Sequence, residues 1–149
     1  MPGFPSAEKL KAWIGSSGTA ALQEIYPFYR IINRYYELLE IGINENTTLL
    51  DFGCGWGRIM RFFHPDNILG VDVNEDVLSF CKSHILYGNF SKINPESPPD
   101  IEGESIDIIT LYSVFTHLRE KMFINGCVNL KYSFFKSGGY DKWNTPKVY

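Results

Sequence analysis

Cysteine is scarce in this chain of 149 residues, and no two cysteines form a C-x-x-C pair. The three present, Cys54, Cys81 and Cys127, are odd in number and far apart, which argues against a zinc site or a dithiol centre and for reduced thiols. Positive charge is also in deficit. With 14 Lys and Arg against 17 Asp and Glu, the net charge of −3 gives no global basic field to draw the chain onto nucleic acid or an anionic membrane. No apolar run is long enough to cross a bilayer, and the opening MPGFPSAEKLKAW has no basic stretch leading into an apolar one. The expectation is a cytoplasmic protein, in which the sequons at Asn46 and Asn89 meet no glycosylation machinery.

What is present is enough for one globular domain with a real core: 44% of the residues are hydrophobic and only 21% charged. The centre of the chain is LLDFGCGWGR, residues 49–58, an apolar run followed by an acid and then glycine at every second position. A strand ending in such a turn lets its backbone approach a ligand with no Cβ in the way. A dinucleotide-binding turn would read G-x-G-x-x-G, and here Arg58 stands where that fingerprint places its last glycine. A glycine turn that merely joins a strand to a helix is the competing explanation.

Ahead of this turn the periodicity predicts helices over residues 7–14, 19–25 and 28–40, with Pro27 separating the last two and Gly42 ending the third. Phe28, Ile31, Ile32, Tyr35, Leu38 and Leu39 form the apolar stripe of the longest helix. Strands are expected at 47–52, 68–73, 85–90 and 105–111, and helices at 56–63, 75–84 and from Thr116 onward. Alternating strands and helices imply βαβ crossovers and a parallel sheet, with ligands at the carboxyl ends of the strands. Asp72 ends the second strand, about twenty residues past the glycine turn, where a carboxylate can accept hydrogen bonds from vicinal ribose hydroxyls. It could instead serve the start of the next helix, although Asn74, Glu75 and Asp76 already suit that task. His84, at a helix end, reads as a helix-end residue rather than a ligand.

At these residues the chain resembles the class I S-adenosylmethionine-dependent methyltransferases, whose first motif is an acid followed by G-x-G-x-G at the end of the first strand. DFGCGWGR, GVDVN, the N-x-x-x-P-P spacing from Asn94 to Pro98 and Pro99, SIDII and SVFTHL are similar to a bacterial and phage branch acting on small molecules or glycans. The resemblance covers about residues 35–140. It implies an α/β fold: a Rossmann-like parallel sheet with helices on both faces, about four to five strands of the family's seven, preceded by N-terminal helices. It divides the chain into a helical cap over 1–42, an S-adenosylmethionine-binding core over 43–140 and an irregular tail over 141–149.

The same resemblance implies S-adenosyl-L-methionine as cofactor. It assigns binding to Asp51, Phe52, Gly53, Cys54, Gly55, Gly57 and Arg58 of the first motif, to Asp72 and Val73 of the second strand, to Asn94 at the adenine, and to Ser113. His117 is the candidate base for an acceptor of low acidity, with capping or packing of the next helix as its other explanation. No metal is implied. The acceptor would be a small molecule or glycan, with neither nucleic acid nor membrane as partner. Ile106 and Ser137 replace an aromatic and a proline of the family pattern. After Gly138 and Gly139 the chain reads YDKWNTPKVY, a poor central strand, so the carboxyl-terminal strands are expected to be missing or supplied by a partner. An inactive cofactor-binding module and a nicotinamide-dependent oxidoreductase stay open beside the methyltransferase.

Overall fold

A computed structural model describes residues 3–40, 43–63, 67–94 and 106–114. Its elements run α1 (Ala7–Ile14), α2 (Gly18–Leu38), β1 (Thr48–Phe52), a short 3-10 turn (Ile59–Phe62), β2 (Asn67–Asp72), α3 (Glu75–His84), β3 (Gly88–Lys92) and β4 (Ile108–Thr110). The four strands form one sheet in the order β3-β2-β1-β4, and every pairing is parallel. In a doubly wound sheet of this order the chain reverses direction between β1 and β4, and the splayed loops there open a crevice above the carboxyl edge. The glycine turn leaves β1 at that place.

Period-two alternation divides the sheet's two faces. Leu49, Ile68, Phe90 and Ile108 join Ile25 of α2 and Leu78, Cys81 and Ile85 of the α3 region in one core cluster. Leu50, Phe52 and Val71 point the other way and pack with Ile106, Leu69, Ile109 and Val114. Burial of both faces explains why β1 and β2 read as continuous apolar runs. The helix expected from Thr116, the Pro-rich loop beyond Asn94, and the tail lie outside the described residues. No described helix is long and apolar enough to cross a membrane.

Several expectations about elements are corrected. Pro27 does not separate two helices: α2 runs unbroken through it. The proline removes one N–H, but Ala21 and Ile25 before it and Phe28, Tyr29 and Ile32 after it are anchored in the cores, so packing outweighs the lost bond. The helix ends at Leu38, with Glu40 in a left-handed conformation (φ 55°). Its inward stripe also differs. Ile31, Tyr35, Leu38 and Leu39 are exposed, whereas Tyr29 and Tyr36 pack inward. Tyr36 also donates its hydroxyl to the Asp107 carbonyl (3.2 Å), fastening α2 to the entry of β4.

The helix expected over 56–63 is instead a run of turns ending in the 3-10 segment. Gly57 has φ 76°, outside helical space, and a Cβ there would collide with Ile85. β3 starts at Gly88 rather than 85, because Ile85 is spent on capping α3 through its N–H to Cys81 O (2.8 Å) and is buried in the core. β4 is cut to three residues by its register: only residues 108–110 pair with residues 49–51 of β1. By contrast α1 and α3 match the sequence expectation end for end, each with an oxygen-bearing N-cap: Ser6 accepts from Lys9 N, and Asn74 from Asp76 N.

Candidate functional site

The turn after β1 is folded back on β2: the N–H groups of Gly53 and Cys54 both donate to Val71 O, at 2.8 and 3.0 Å. All three of its glycines have positive φ, 73° at Gly53, 52° at Gly55 and 76° at Gly57. Their surroundings separate their roles. A Cβ on Gly53 would come within 2.6 Å of Val114 Cγ2, and one on Gly57 would strike Ile85, so both positions are closed by packing. A Cβ on Gly55 would meet nothing within 4 Å. The backbone at Gly55 therefore faces open space.

That peptide is held from both sides. Gly55 N–H donates to Asp72 Oδ2 (2.9 Å), while the thiols of Cys81 and Cys54 point at Gly55 O, at 3.3 and 3.6 Å. The neighbouring Cys81 thiol and burial push the Cys54 thiol well up, so it stays protonated as a donor. The two buried thiols thus brace the turn. The other carboxylate oxygen of Asp72 accepts from Asn74 N–H (2.9 Å), so Asp72 couples the glycine turn to the start of α3. This structural task is one that Asn74, Glu75 and Asp76 do not replace. Each carboxylate oxygen keeps a second lone pair for a ligand.

Around this turn lies a cavity of about 230 Å³. Asp51, Gly53, Cys54, Gly55, Arg58 and Asp72 line it, so six of the sequence-predicted residues converge. Trp13 and Ile14 of α1 and Tyr112 beyond β4 close its sides. Arg58 reaches Glu24 of α2 (3.8 Å) and lies 5.4 Å from the centroid of the Tyr112 ring. Phe28 packs against the same ring at a tilt of 49°, with centroids 5.0 Å apart, completing a wall between α2 and the residues beyond β4. Burial lowers the Arg58 pKa, opposed by Tyr112, Glu24 and Asp51; a guanidinium remains charged regardless.

Asp51 is only 3% exposed. Burial pushes its carboxyl from 3.8 up to about 7, with the hydroxyl of Thr110 (2.8 Å) opposing, Asp72 adding to the rise and Arg58 opposing it. Trp56 is 2% exposed, and its indole nitrogen has no hydrogen-bond partner among the described residues although the residue lines the cavity. Phe4 and Arg61 pack on its ring, at 5.7 and 4.7 Å.

The family described as "Methyltransferase domain" matches residues 49–139, from the glycine turn through the strands that frame this cavity. The chain belongs to that family. This methyltransferase domain is 29% identical over 112 residues to the ubiquinone biosynthesis O-methyltransferase of Hydrogenovibrio crunogenus, covering 71% of the chain and 44% of that relative. It thus spans less than half the length of that curated relative. The fold is shared with the S-adenosylmethionine-bound amino pentose methyltransferase of calicheamicin biosynthesis from Micromonospora echinaspora. There the TM-score is 0.57 at 15% identity, over 87% of this chain and 52% of that one. A TehB-like S-adenosylmethionine-dependent methyltransferase from Corynebacterium glutamicum gives a TM-score of 0.51 at 18% identity, over 76% of this chain and 66% of that one. The Rossmann-like fold expected from the sequence is therefore the fold of the methyltransferase domain.

Five sequence-predicted residues do not line the methyltransferase cavity. Phe52 points into the opposite face of the sheet, and Gly57 is packed beneath the turn against Ile85 and Cys81. Val73 is exposed, as are Asn94 and Ser113, the last with a left-handed φ of 59°. His117 lies outside the described residues. Sequence reasoning passed over Trp13, Trp56, Thr110 and Tyr112. Thr110 had a signal: it is the one hydroxyl inside the apolar strand IIT. Trp13 had none, because an aromatic on a helical face reads equally as core.

Proposed function

We propose that the cavity beside the glycine turn binds S-adenosylmethionine, and that the chain serves transfer of its methyl group to a small-molecule acceptor, a hydroxyl of a sugar or of another metabolite. The observation that carries this reading is the open backbone at Gly55, held against the Asp72 carboxylate inside the cavity. The residues fit such a ligand. Its ribose hydroxyls have lone pairs of Asp72 to meet, and its cationic end has the buried Asp51 carboxyl. A relative that is an O-methyltransferase supports an oxygen acceptor.

When bound, the cofactor supplies a methyl carbon activated by an adjacent positive sulfur. The chain's part is positioning and exclusion of water, the means by which an in-line displacement gains most of its rate. In this reading Gly55 admits the ligand to the backbone, Asp72 orients the ribose, and Trp13 and Tyr112 limit the cavity. Asn94 and Ser113, which stand outside the cavity lining, would meet only parts of the ligand that extend beyond it, and His117 is the proposed base for the acceptor proton.

Titration calorimetry with S-adenosylhomocysteine and, in parallel, with NAD tests the reading. Binding of the adenosyl ligand with at least tenfold loss in Asp72→Ala is expected, and binding of NAD alone would overturn the assignment. Because Asp72 also holds two backbone N–H groups, Asp72→Ala is expected to lower stability by about 1–3 kcal/mol while remaining folded.

A further inference from the structure

Thr110 sits at the end of β4 directly opposite Asp51 of β1 in the parallel register. Its hydroxyl has two neighbours, Asp51 Oδ1 at 2.8 Å and Leu50 O at 3.4 Å, and both Thr110 and Asp51 are nearly sealed from solvent, at 2% and 3% exposure. A hydroxyl carries one proton and two lone pairs. With Asp51 ionised, that proton goes to the carboxylate. With Asp51 protonated, the hydroxyl can rotate to donate to Leu50 O and accept the carboxyl proton. Both protonation states of a buried acid are thereby hydrogen-bonded, which a valine at this place could not provide.

We infer that Thr110 is the positioning residue of this site: it holds the Asp51 carboxyl ready in either protonation state, so that a ligand bearing an α-ammonium group displaces one proton from Asp51 as it binds. This rests on the adenosyl-ligand reading above. Among the described residues, the charged groups around Asp51 are Asp72 from the end of β2 and Arg58 from the glycine turn; Glu24 of α2 meets the site through Arg58. The Cys54 thiol from the same turn is neutral. Arg58 is shared with Glu24 and the Tyr112 ring, so among the described residues the carboxylate has no cation of its own. An ammonium in the cavity supplies one, favouring the ionised form and expelling the proton to solvent. Burial already holds Asp51 near neutrality, so the exchange falls in an accessible pH range.

The test is calorimetric titration of the full chain with S-adenosylhomocysteine between pH 5.5 and 8.5, in pairs of buffers of different ionisation enthalpy, which count the protons released. About one proton per ligand is expected at the acid end and none at the alkaline end, with affinity rising about tenfold per pH unit below the midpoint. Thr110→Val moves the midpoint alkaline by about one unit, and Thr110→Ser restores it. Methylthioadenosine, which lacks the amino-acid part, binds without proton release. Binding of S-adenosylhomocysteine with no proton release at any pH, or equal release with methylthioadenosine, overturns this inference and leaves the adenosyl-ligand reading standing. Failure of the wild-type chain to bind at any pH overturns both.

Discussion

The three glycines after β1 share a backbone region but carry different burdens. Gly57→Ala would force a methyl into Ile85 at a positive φ, and a loss of about 2–4 kcal/mol in urea unfolding is expected. Gly55→Ala meets no atom and costs about 1–2 kcal/mol of backbone strain, but its methyl enters the cavity, so adenosyl-ligand affinity falls at least tenfold. Equal effects on stability would show that the packing beneath Gly57 is not what fixes the turn. Asp51 makes a different trade. Its folded pKa lies above its unfolded one, so between pH 3.8 and about 7 the folded chain keeps a proton that the unfolded chain gives up. Ligand-free stability therefore falls as pH rises through that window and is level above it. Asp51→Asn removes the slope and is more stable at pH 8 by up to about 4 kcal/mol, while binding ligand more weakly. An unchanged slope in denaturant melts from pH 4 to 8 would place the buried proton elsewhere.

Among the elements, α2 shows how packing overrides local preference. Its interior Pro27 leaves one carbonyl of the preceding turn without its helical donor, yet the helix persists because both halves are anchored on the same face of the sheet. Pro27→Ala restores that donor and is expected to raise stability by about 1–2 kcal/mol, with ligand affinity unchanged. A drop in stability on thermal melting would mean that the proline ring packs productively against Arg30 and Ile31 in the groove that they line. The 3-10 turn gives the opposite lesson. Of Ile59, Phe62 and Phe63, which a helix here would bury, Ile59 and Phe63 are buried and Phe62 only partly, while Met60 also goes inside; Gly57 is left-handed, and Ile85 of a later region fills the space a Cβ there would need. Periodicity reveals most of the side chains that go inside. It does not reveal that Gly57 is left-handed or that Ile85, 28 positions on, occupies the space beside it.

At the scale of the molecule, the strand order β3-β2-β1-β4 explains why one edge collects the site. β1 is central, its two neighbours are β2 and β4, and each contributes one residue to the charged centre of the cavity: Asp51, Asp72 and, through its hydroxyl, Thr110. The first two were legible in the sequence because an acid ahead of a glycine turn and an acid ending the next strand are local patterns with a chemical reason. Both capped helices of regular periodicity, α1 and α3, were legible for the same cause: caps and apolar faces are decided within a few residues. The sequence by itself thus determined an alternating α/β chain, a parallel sheet, and a glycine turn facing an acid across the first two strands. Only the tertiary structure decided which glycine is open, which carboxyl is buried with a hydroxyl to hold it, and which aromatics from α1 and beyond β4 complete the walls. Those choices depend on atoms brought together from distant positions, such as Val114 over Gly53, Ile85 under Gly57 and Thr110 beside Asp51. Contacts of that kind leave no periodicity in the sequence because they join elements rather than residues within one.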